Sequence, residues 1–345
     1  MTFNKIISHW YRKNKRDLPW RKTRDPYRIW LSEIMLQQTR VEQGLPYYLK
    51  FVDHYPTIKH LADAPEDEVL KLWQGLGYYS RARNLHATAR HVTYELNENF
   101  PSTYSEIIKL KGVGDYTASA IASICFDEAT PVVDGNVYRV LARYFNVDIP
   151  INSTEGIKYF KQLATELIDR EQPAEYNQAI MEFGARQCKP QSPDCGICPL
   201  NNSCGALAEK RIKELPVKIR KGKIRNRYFN YLVMTDKDST LLEQRKQKDI
   251  WQSLYQFPLI EDARELEEKD IVSHNRFLEL MGNREYDISL YNKEAIVHKL
   301  SHQHIHTRFW IVHLQGTLDN GIKSSRIKEY AVPVLIANFV EEYSF

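Results

Sequence analysis

Up to about residue 209 the apolar positions recur at helical spacing. Tyr27–Thr39, Glu66–Trp73, Arg81–Leu96, Ile157–Asp169 and Gln178–Arg186 each set apolar side chains three and four residues apart, so each predicts a helix. Pro, Gly and Asn break the pattern at short intervals. After Pro216 the texture changes. Tyr228–Met234 and Arg308–Leu314 are aromatic and β-branched, as strands are, and Ala331–Ile336 is a further strand expectation. Asn275–Met281 reads as a helix between them. The pattern predicts an all-α domain over 1–209, a linker over 210–227 and an α+β domain over 228–345. No segment repeats. No run of 18 apolar residues offers a membrane span, and the N-terminus lacks the apolar core of a signal peptide, so a cytoplasmic protein is expected.

Composition agrees with two folded domains. The chain has 345 residues, 43% hydrophobic and 12% aromatic, which excludes a wholly disordered protein. The formal net charge of +4 hides local asymmetry. Residues 1–28 carry nine Lys/Arg against two acids, and residues 210–227 carry nine against Glu214 alone. Such segments suit a polyanion, because each cation that meets a phosphate releases condensed counterions; a solvated linker is the plainer alternative.

Four of the five cysteines fall within 17 residues, as Cys188-x6-Cys195-x2-Cys198-x5-Cys204. That density points to a metal centre in a reducing compartment rather than to disulfides. Zinc and a [4Fe–4S] cluster both satisfy four thiolates. Zinc sites more often use two tight pairs, and only one pair is tight here, which favours the cluster. Cys125 lies on an apolar helix face and reads as a small core residue.

Two further segments carry candidate chemistry. In Leu110–Ala118, Gly112 and Gly114 flank Val113 ahead of a helix, whose free N-terminal amides can cradle a phosphate. Asp134 precedes a helical pattern and reads as its N-cap.

The cysteine spacing resembles the iron–sulfur loop of the endonuclease III superfamily of helix-hairpin-helix DNA glycosylases, and Leu110–Ala118 resembles its hairpin (about 104–124). Within that superfamily, Leu18-Pro19-Trp20-Arg21, the run Asp25–Val41, Gly75–Leu85 and Asn177-Gln178-Ala179 are similar to the adenine DNA glycosylase (MutY) family. The resemblance covers most of residues 10–204. It implies one [4Fe–4S] cluster on Cys188, Cys195, Cys198 and Cys204, structural rather than catalytic. It implies a monomer that binds double-stranded DNA containing A:8-oxoguanine or A:G mispairs and removes the adenine in base excision repair. Bifunctional members set a lysine in the hairpin as imine-forming nucleophile. Tyr116 stands there instead, so a monofunctional enzyme is expected.

The chemistry needs an acid to protonate adenine N7, so that the base leaves neutral, and a carboxylate to steady the cationic sugar. Glu33, between Ile29-Trp30-Leu31 and Ile34-Met35-Leu36, fits the acid, because apolar surroundings raise a carboxyl pKa. A solvent-facing helix glutamate is the plainer reading. The family assigns Asp134 to the second role, and Tyr116 and Asn136 to orienting these groups. The target base must leave the stack. The resemblance has Gln38 and Tyr78 fill or wedge the gap, Thr39 and Leu76 lie near the partner base, Arg21 and Gln178 line the adenine pocket, and Gly112 and Gly114 meet the backbone.

Beyond residue 228, Ile250–Pro258 resembles part of the MutT-like (Nudix-fold) domain attached to this family. The glutamate-rich metal helix of a working Nudix hydrolase is only faintly echoed at Ala263–Lys269, an exposed acidic segment by this reading. His302, His304 and His306 alternate and are expected on one strand face. Leu300, Ser301 and His302 match the family loop that senses 8-oxoguanine, with Leu300 in place of the common phenylalanine. Three rivals are separable: a pyrimidine-lesion or thymine mismatch glycosylase by its preferred duplex, a non-catalytic DNA-binding protein by the effect of Glu33→Gln, and a nucleotide pyrophosphatase by hydrolysis of 8-oxo-dGTP.

Overall fold

The computed structural model describes residues 2–219, 224–343 and 345. It forms two compact units, Met1–Asp63 with Asn84–Arg220, and Ala64–Arg83 with Lys221–Phe345. The second unit thus takes in Leu76 and Tyr78. Residues 220–223 of the expected linker lie outside the described residues. Among those described, no helix is long and apolar enough to cross a membrane.

The helices before the sheet are α1 (Phe3–Asn14), α2 (Pro26–Leu36), α3 (Val41–His54), α4 (Ile58–Asp63), α5 (Glu66–Leu72), α6 (Ser80–Tyr94), α7 (Tyr104–Ile107), α8 (Asp115–Phe126), α9 (Gly135–Tyr144), α10 (Thr154–Leu167), α11 (Pro173–Arg186) and α12 (Gly205–Ala208). In the first unit α2 and α8 form the centre. Asp25 caps α2 by accepting from the Tyr27 amide at 3.0 Å, with Pro26 in the first turn. Every residue from Ile29 to Met35 is then buried, Glu33 included. α8 is buried from Thr117 to Ile124, and its alanines and serines let α2 and α11 approach closely. α11 also packs on α1 and α9, so one helix touches both α8, which carries Tyr116, and α9, which carries Asn136 and is capped by Asp134.

The second unit centres on two long parallel strands, β1 (Arg225–Thr235) and β8 (Gln303–Leu314), paired from Arg225–Gln303 to Thr235–His313. The strands between them are β2 (Ser239–Thr240), β3 (Glu243–Gln244), β4 (Tyr255–Gln256), β5 (Leu259–Asp262), β6 (Tyr286–Leu290) and β7 (Ile296–Lys299), and β9 (Ile322–Lys323) follows. Among the described residues β3 and β4 pair separately and the other seven make one sheet, β6-β8-β1-β2-β9, with β5 on β1 and β7 on β8. Helices cover both faces, which explains why β1 is buried without a break from Phe229 to Thr235. Phe229, Tyr231 and Phe309 pack with α15 (Val334–Glu342). Leu232, Trp310 and Val312 pack with α13 (Glu268–Val272) and α14 (Asn275–Met281).

Two expectations need correction. Ala331–Ile336 is not a strand. Pro333 caps α15, and Leu335, Ile336 and Phe339 meet the sheet at helical spacing, so the β-branched residues there were a misleading signal. β8 starts at Gln303, so of the three alternating histidines only His304 and His306 belong to it, and His302 lies in the preceding loop.

Candidate active site

Because α2 has no polar face, Glu33 is only 8% exposed. Burial pushes its carboxyl up to about 7, against a 2.7 Å hydrogen bond that the Tyr116 hydroxyl donates to Oε2; Asp134 raises it and Arg21 lowers it. Tyr116 is itself raised well above its usual range by burial and by Glu33, so it stays a neutral donor. Its hydroxyl also lies 3.1 Å from Met181 Sδ.

Asp134 caps α9. Oδ1 accepts from the amides of Asn136 at 2.9 Å and Val137 at 2.8 Å, and Oδ2 accepts from Asn136 Nδ2 at 2.7 Å. Burial raises this carboxyl too, but the three donors favour its charged form. Two carboxyls sharing one site resist double ionisation. Glu33 has one donor and Asp134 three, so the hydrogen bonds favour the proton on Glu33 and the charge on Asp134. Asn136 is oriented in turn. Its Oδ1 accepts from Arg139 Nη2 at 2.8 Å, which turns Nδ2 toward Asp134. Gly184 of α11 makes room, since a Cβ there would stand 2.7 Å from Asn136 Cβ.

One cleft of about 530 Å³ in the first unit gathers Arg21, Glu33, Thr39, Tyr116, Asp134, Asn136 and Gln178. Gln178 Oε1 accepts from the Tyr11 hydroxyl at 2.7 Å, which leaves its amide hydrogens for a ligand. The cleft does not include Gln38, which is exposed and held at φ 57°, the left-handed region that a non-glycine residue occupies under strain. Gly112 has φ 79°, and a Cβ there would stand 2.6 Å from Asn84 Cβ; Gly114 caps α8.

A separate cavity of about 440 Å³ in the second unit gathers Leu76, Tyr78, Leu300, Ser301 and His302 with Trp251. Tyr78 is 46% exposed and also left-handed, at φ 47°. Its hydroxyl is 3.5 Å from Ser301 Oγ, which lies 3.2 Å from His302 Nδ1. Leu300 is half-buried against the sheet core.

The four clustered cysteines fit thiolate ligation. Burial pushes the Cys198 thiol up to about 11, against a backbone hydrogen bond from Leu200 that favours the thiolate. Burial likewise raises Cys204, against amides of Leu207 and Ala206. Each of these two thiols also feels the charge of Cys188 and Cys195. Amides aimed at sulfur are the surroundings of an iron–sulfur cluster. Among the described residues no three His, Cys, Asp or Glu come together as ligands of a single ion. Arg143, buried, ties the loop down: Nη1 donates to Cys188 Sγ at 3.5 Å and to the Lys189 carbonyl at 2.7 Å.

Known families cover most of the chain. Residues 31–179 match the HhH-GPD superfamily of base excision DNA repair proteins, 188–204 the iron–sulfur binding domain of endonuclease III, and 230–342 the NUDIX domain. The adenine DNA glycosylase of Buchnera aphidicola subsp. Baizongia pistaciae is 36% identical over 320 residues, spanning 90% of this chain and 86% of that relative. The chain belongs to the adenine DNA glycosylase family. The adenine DNA glycosylase of Rattus norvegicus is 44% identical over 226 residues, 62% of this chain and 44% of its own. Among solved structures, a thermostable thymine-DNA glycosylase matches at 30% identity and TM-score 0.56, covering 60% of this chain and 95% of its own. A non-covalent endonuclease III–DNA complex shares the fold at 22% identity and TM-score 0.53, covering 61% of this chain and 95% of its own.

This adenine DNA glycosylase is therefore a DNA N-glycosylase of base excision repair, with a [4Fe–4S] cluster as its cofactor. Cys188, Cys195, Cys198 and Cys204 would hold that cluster. Its loop reaches the cleft through Arg139, whose Nε donates to the Cys188 carbonyl at 2.7 Å while Nη2 holds Asn136. Sequence reasoning missed Arg139, and also Glu182, a fully buried carboxylate on the cleft wall. A signal for Glu182 was available, because it stands four residues after Gln178 on one helix.

Tyr116→Phe tests the hydroxyl on Glu33. That donor favours ionised Glu33, so its loss raises the Glu33 pKa further. The expected result is a roughly two- to tenfold slower single-turnover rate at neutral pH, the range for one hydrogen bond. The alkaline fall of the pH–rate profile is expected to move to higher pH.

Proposed function

We propose that this adenine DNA glycosylase removes adenine paired with 8-oxoguanine, and less readily with guanine, by hydrolysis without strand cleavage. Adenine flipped into the cleft receives a proton at N7 from Glu33 and leaves neutral. Asp134 stabilises the oxocarbenium-like sugar, electrostatically or through a transient adduct, and Glu33 then acts as base toward the attacking water. The observation that carries this reading is the pair of unlike carboxyls in one cleft, Glu33 raised to about 7 and Asp134 held by three donors.

A monofunctional reaction is supported by the cleft lining, which includes four arginines but no lysine. Lys161, near the hairpin, is engaged with Asp115 and the Pro131 carbonyl, both at 2.9 Å. Lesion recognition is supported by the second cavity, where Ser301 presents a hydroxyl beside Tyr78 and Leu76. Gln38 and Tyr78, both strained and exposed, suit the space left by an extruded base. Gly112 and Gly114 suit a phosphate contact. The enzyme acts as a monomer on the DNA of its host, in the bacterial cytoplasm, or in the nucleus or mitochondrion of a eukaryote.

The test is base release under single-turnover conditions from duplexes bearing A:8-oxoguanine, A:G, A:T or thymine glycol. The first is expected to react fastest, and borohydride is expected to trap no imine. Preference for thymine glycol, or a trapped covalent complex, overturns the reading.

A further inference from the structure

Glu182 is the most buried charge in the cleft, with a side chain 0% exposed, and the mechanism above does not use it. Oε1 accepts from the Arg16 amide at 3.0 Å and Arg16 Nε at 2.9 Å. Oε2 accepts from Arg16 Nη2 and Arg21 Nη2, both at 2.7 Å. Arg21 is thereby fixed at two points, since its Nη1 donates to the Arg16 carbonyl at 3.1 Å. Its guanidinium lies 5.5 Å from the centre of the Tyr11 ring, and the Tyr11 hydroxyl holds Gln178. Glu182, Arg21 and Gln178 all line the cleft that contains Glu33 and Asp134.

A carboxylate this enclosed needs both partners, and an unpaired charge there is costly. Four hydrogen bonds on its two oxygens make the arrangement rigid. From this geometry we propose that Glu182 is a positioning residue for base removal: it clamps Arg21, and through Arg21 and Tyr11 it sets the purine-facing wall that ends in Gln178. It also balances the Arg21 charge beside the proton donor. This rests on the reading that Glu33 protonates adenine in this cleft.

The clamp has a consequence that a purely structural residue lacks. The ionisable groups that bear on Glu33 are Tyr116 and Cys125 from α8, Asp134 from the start of α9 and Arg21 from the segment before α2. Of these, Arg21 is the cation, and it favours ionised Glu33. With Glu182 neutral, that influence is uncompensated, so Glu33 loses its proton at lower pH.

The experiment compares Glu182→Gln and Glu182→Asp with the unchanged enzyme, on A:8-oxoguanine and A:G duplexes. Folding is followed by melting and by absorbance of the iron–sulfur cluster. E182Q is expected to slow single-turnover release roughly ten- to a hundredfold, the range for a lost charged hydrogen bond, with duplex affinity unchanged. The alkaline fall of its pH–rate profile should move to lower pH, opposite to Tyr116→Phe. E182D, which keeps the charge, should restore the profile and part of the rate. Wild-type rate and profile in E182Q overturn the proposal, as does a slower rate with an unmoved profile and no rescue by E182D. Where E182Q does not fold, Arg21→Lys decides. It keeps the cation but cannot hold Glu182 and the Arg16 carbonyl together, so slowed release with intact affinity supports the clamp and wild-type release overturns it. Each variant is scored against the unchanged enzyme on the same duplex. A wild-type enzyme that does not prefer 8-oxoguanine would therefore overturn the lesion reading alone.

Discussion

Replacing Glu33 by glutamine is expected to slow adenine release by roughly 10²- to 10⁴-fold, the usual contribution of a positioned general acid, while leaving duplex affinity nearly unchanged. The amide keeps the shape and can still accept from Tyr116, so the loss isolates the proton. In the proposed mechanism the working form is protonated Glu33, with its carboxyl at about 7. The rate is therefore expected to be level below neutrality and to fall roughly tenfold per pH unit above it, a fall absent from the residual activity of E33Q. Stability is also expected to fall with rising pH, over a lower window. A folded-state pKa raised above the unfolded value of 4.5 means that the native state binds more protons between 4.5 and about 7, so stability declines as pH rises through that window. E33Q removes this penalty and is expected to be more stable above neutrality, by on the order of 1–3 kcal/mol. Thermal melts at acid and alkaline pH check the sign. Wild-type rates in E33Q would remove Glu33 from its role.

The helices of the first unit could be read from the sequence because their amphipathic spacing is local. The expected helix at Asn275–Met281 coincides with α14, and Tyr228–Met234 lies within β1. Ala331–Ile336 misled because its β-branched composition outweighed the capping proline at 333. Four cysteines stand out by density, and the apolar neighbours of Glu33 agree with its burial in α2. What stayed hidden are contacts between residues distant in sequence. Nothing local marks Arg139 as the donor to the Cys188 carbonyl, or Glu182 as the partner of Arg16 and Arg21, because each of these contacts joins a helix to a distant segment. Strain at Gln38 and Tyr78 is likewise a property of the folded backbone.

Asp134 offers the cleanest separation of fold from chemistry, because the proposed mechanism adds a second task to a side chain that caps α9. As an N-cap it satisfies the amides of Asn136 and Val137, and asparagine can do the same through its carbonyl. Asp134→Asn is therefore expected to retain the cap and lose the charge. Without the anion, the positive sugar of the transition state faces a neutral dipole, and release should slow by roughly 10²- to 10³-fold, the cost of removing one preorganised electrostatic partner. A smaller structural cost is also expected. The new Nδ2 points at Asn136 Nδ2, and Asn136 cannot turn to relieve the clash without breaking its bond from Arg139. Asp134→Ala removes both functions, so it should match the asparagine variant in rate but lose a further ~1 kcal/mol of stability. If the two variants instead differ in rate as much as in stability, Asp134 acts mainly by shaping α9. Equal stability and a shared collapse in rate would make the charge, and not the cap, its contribution to base removal.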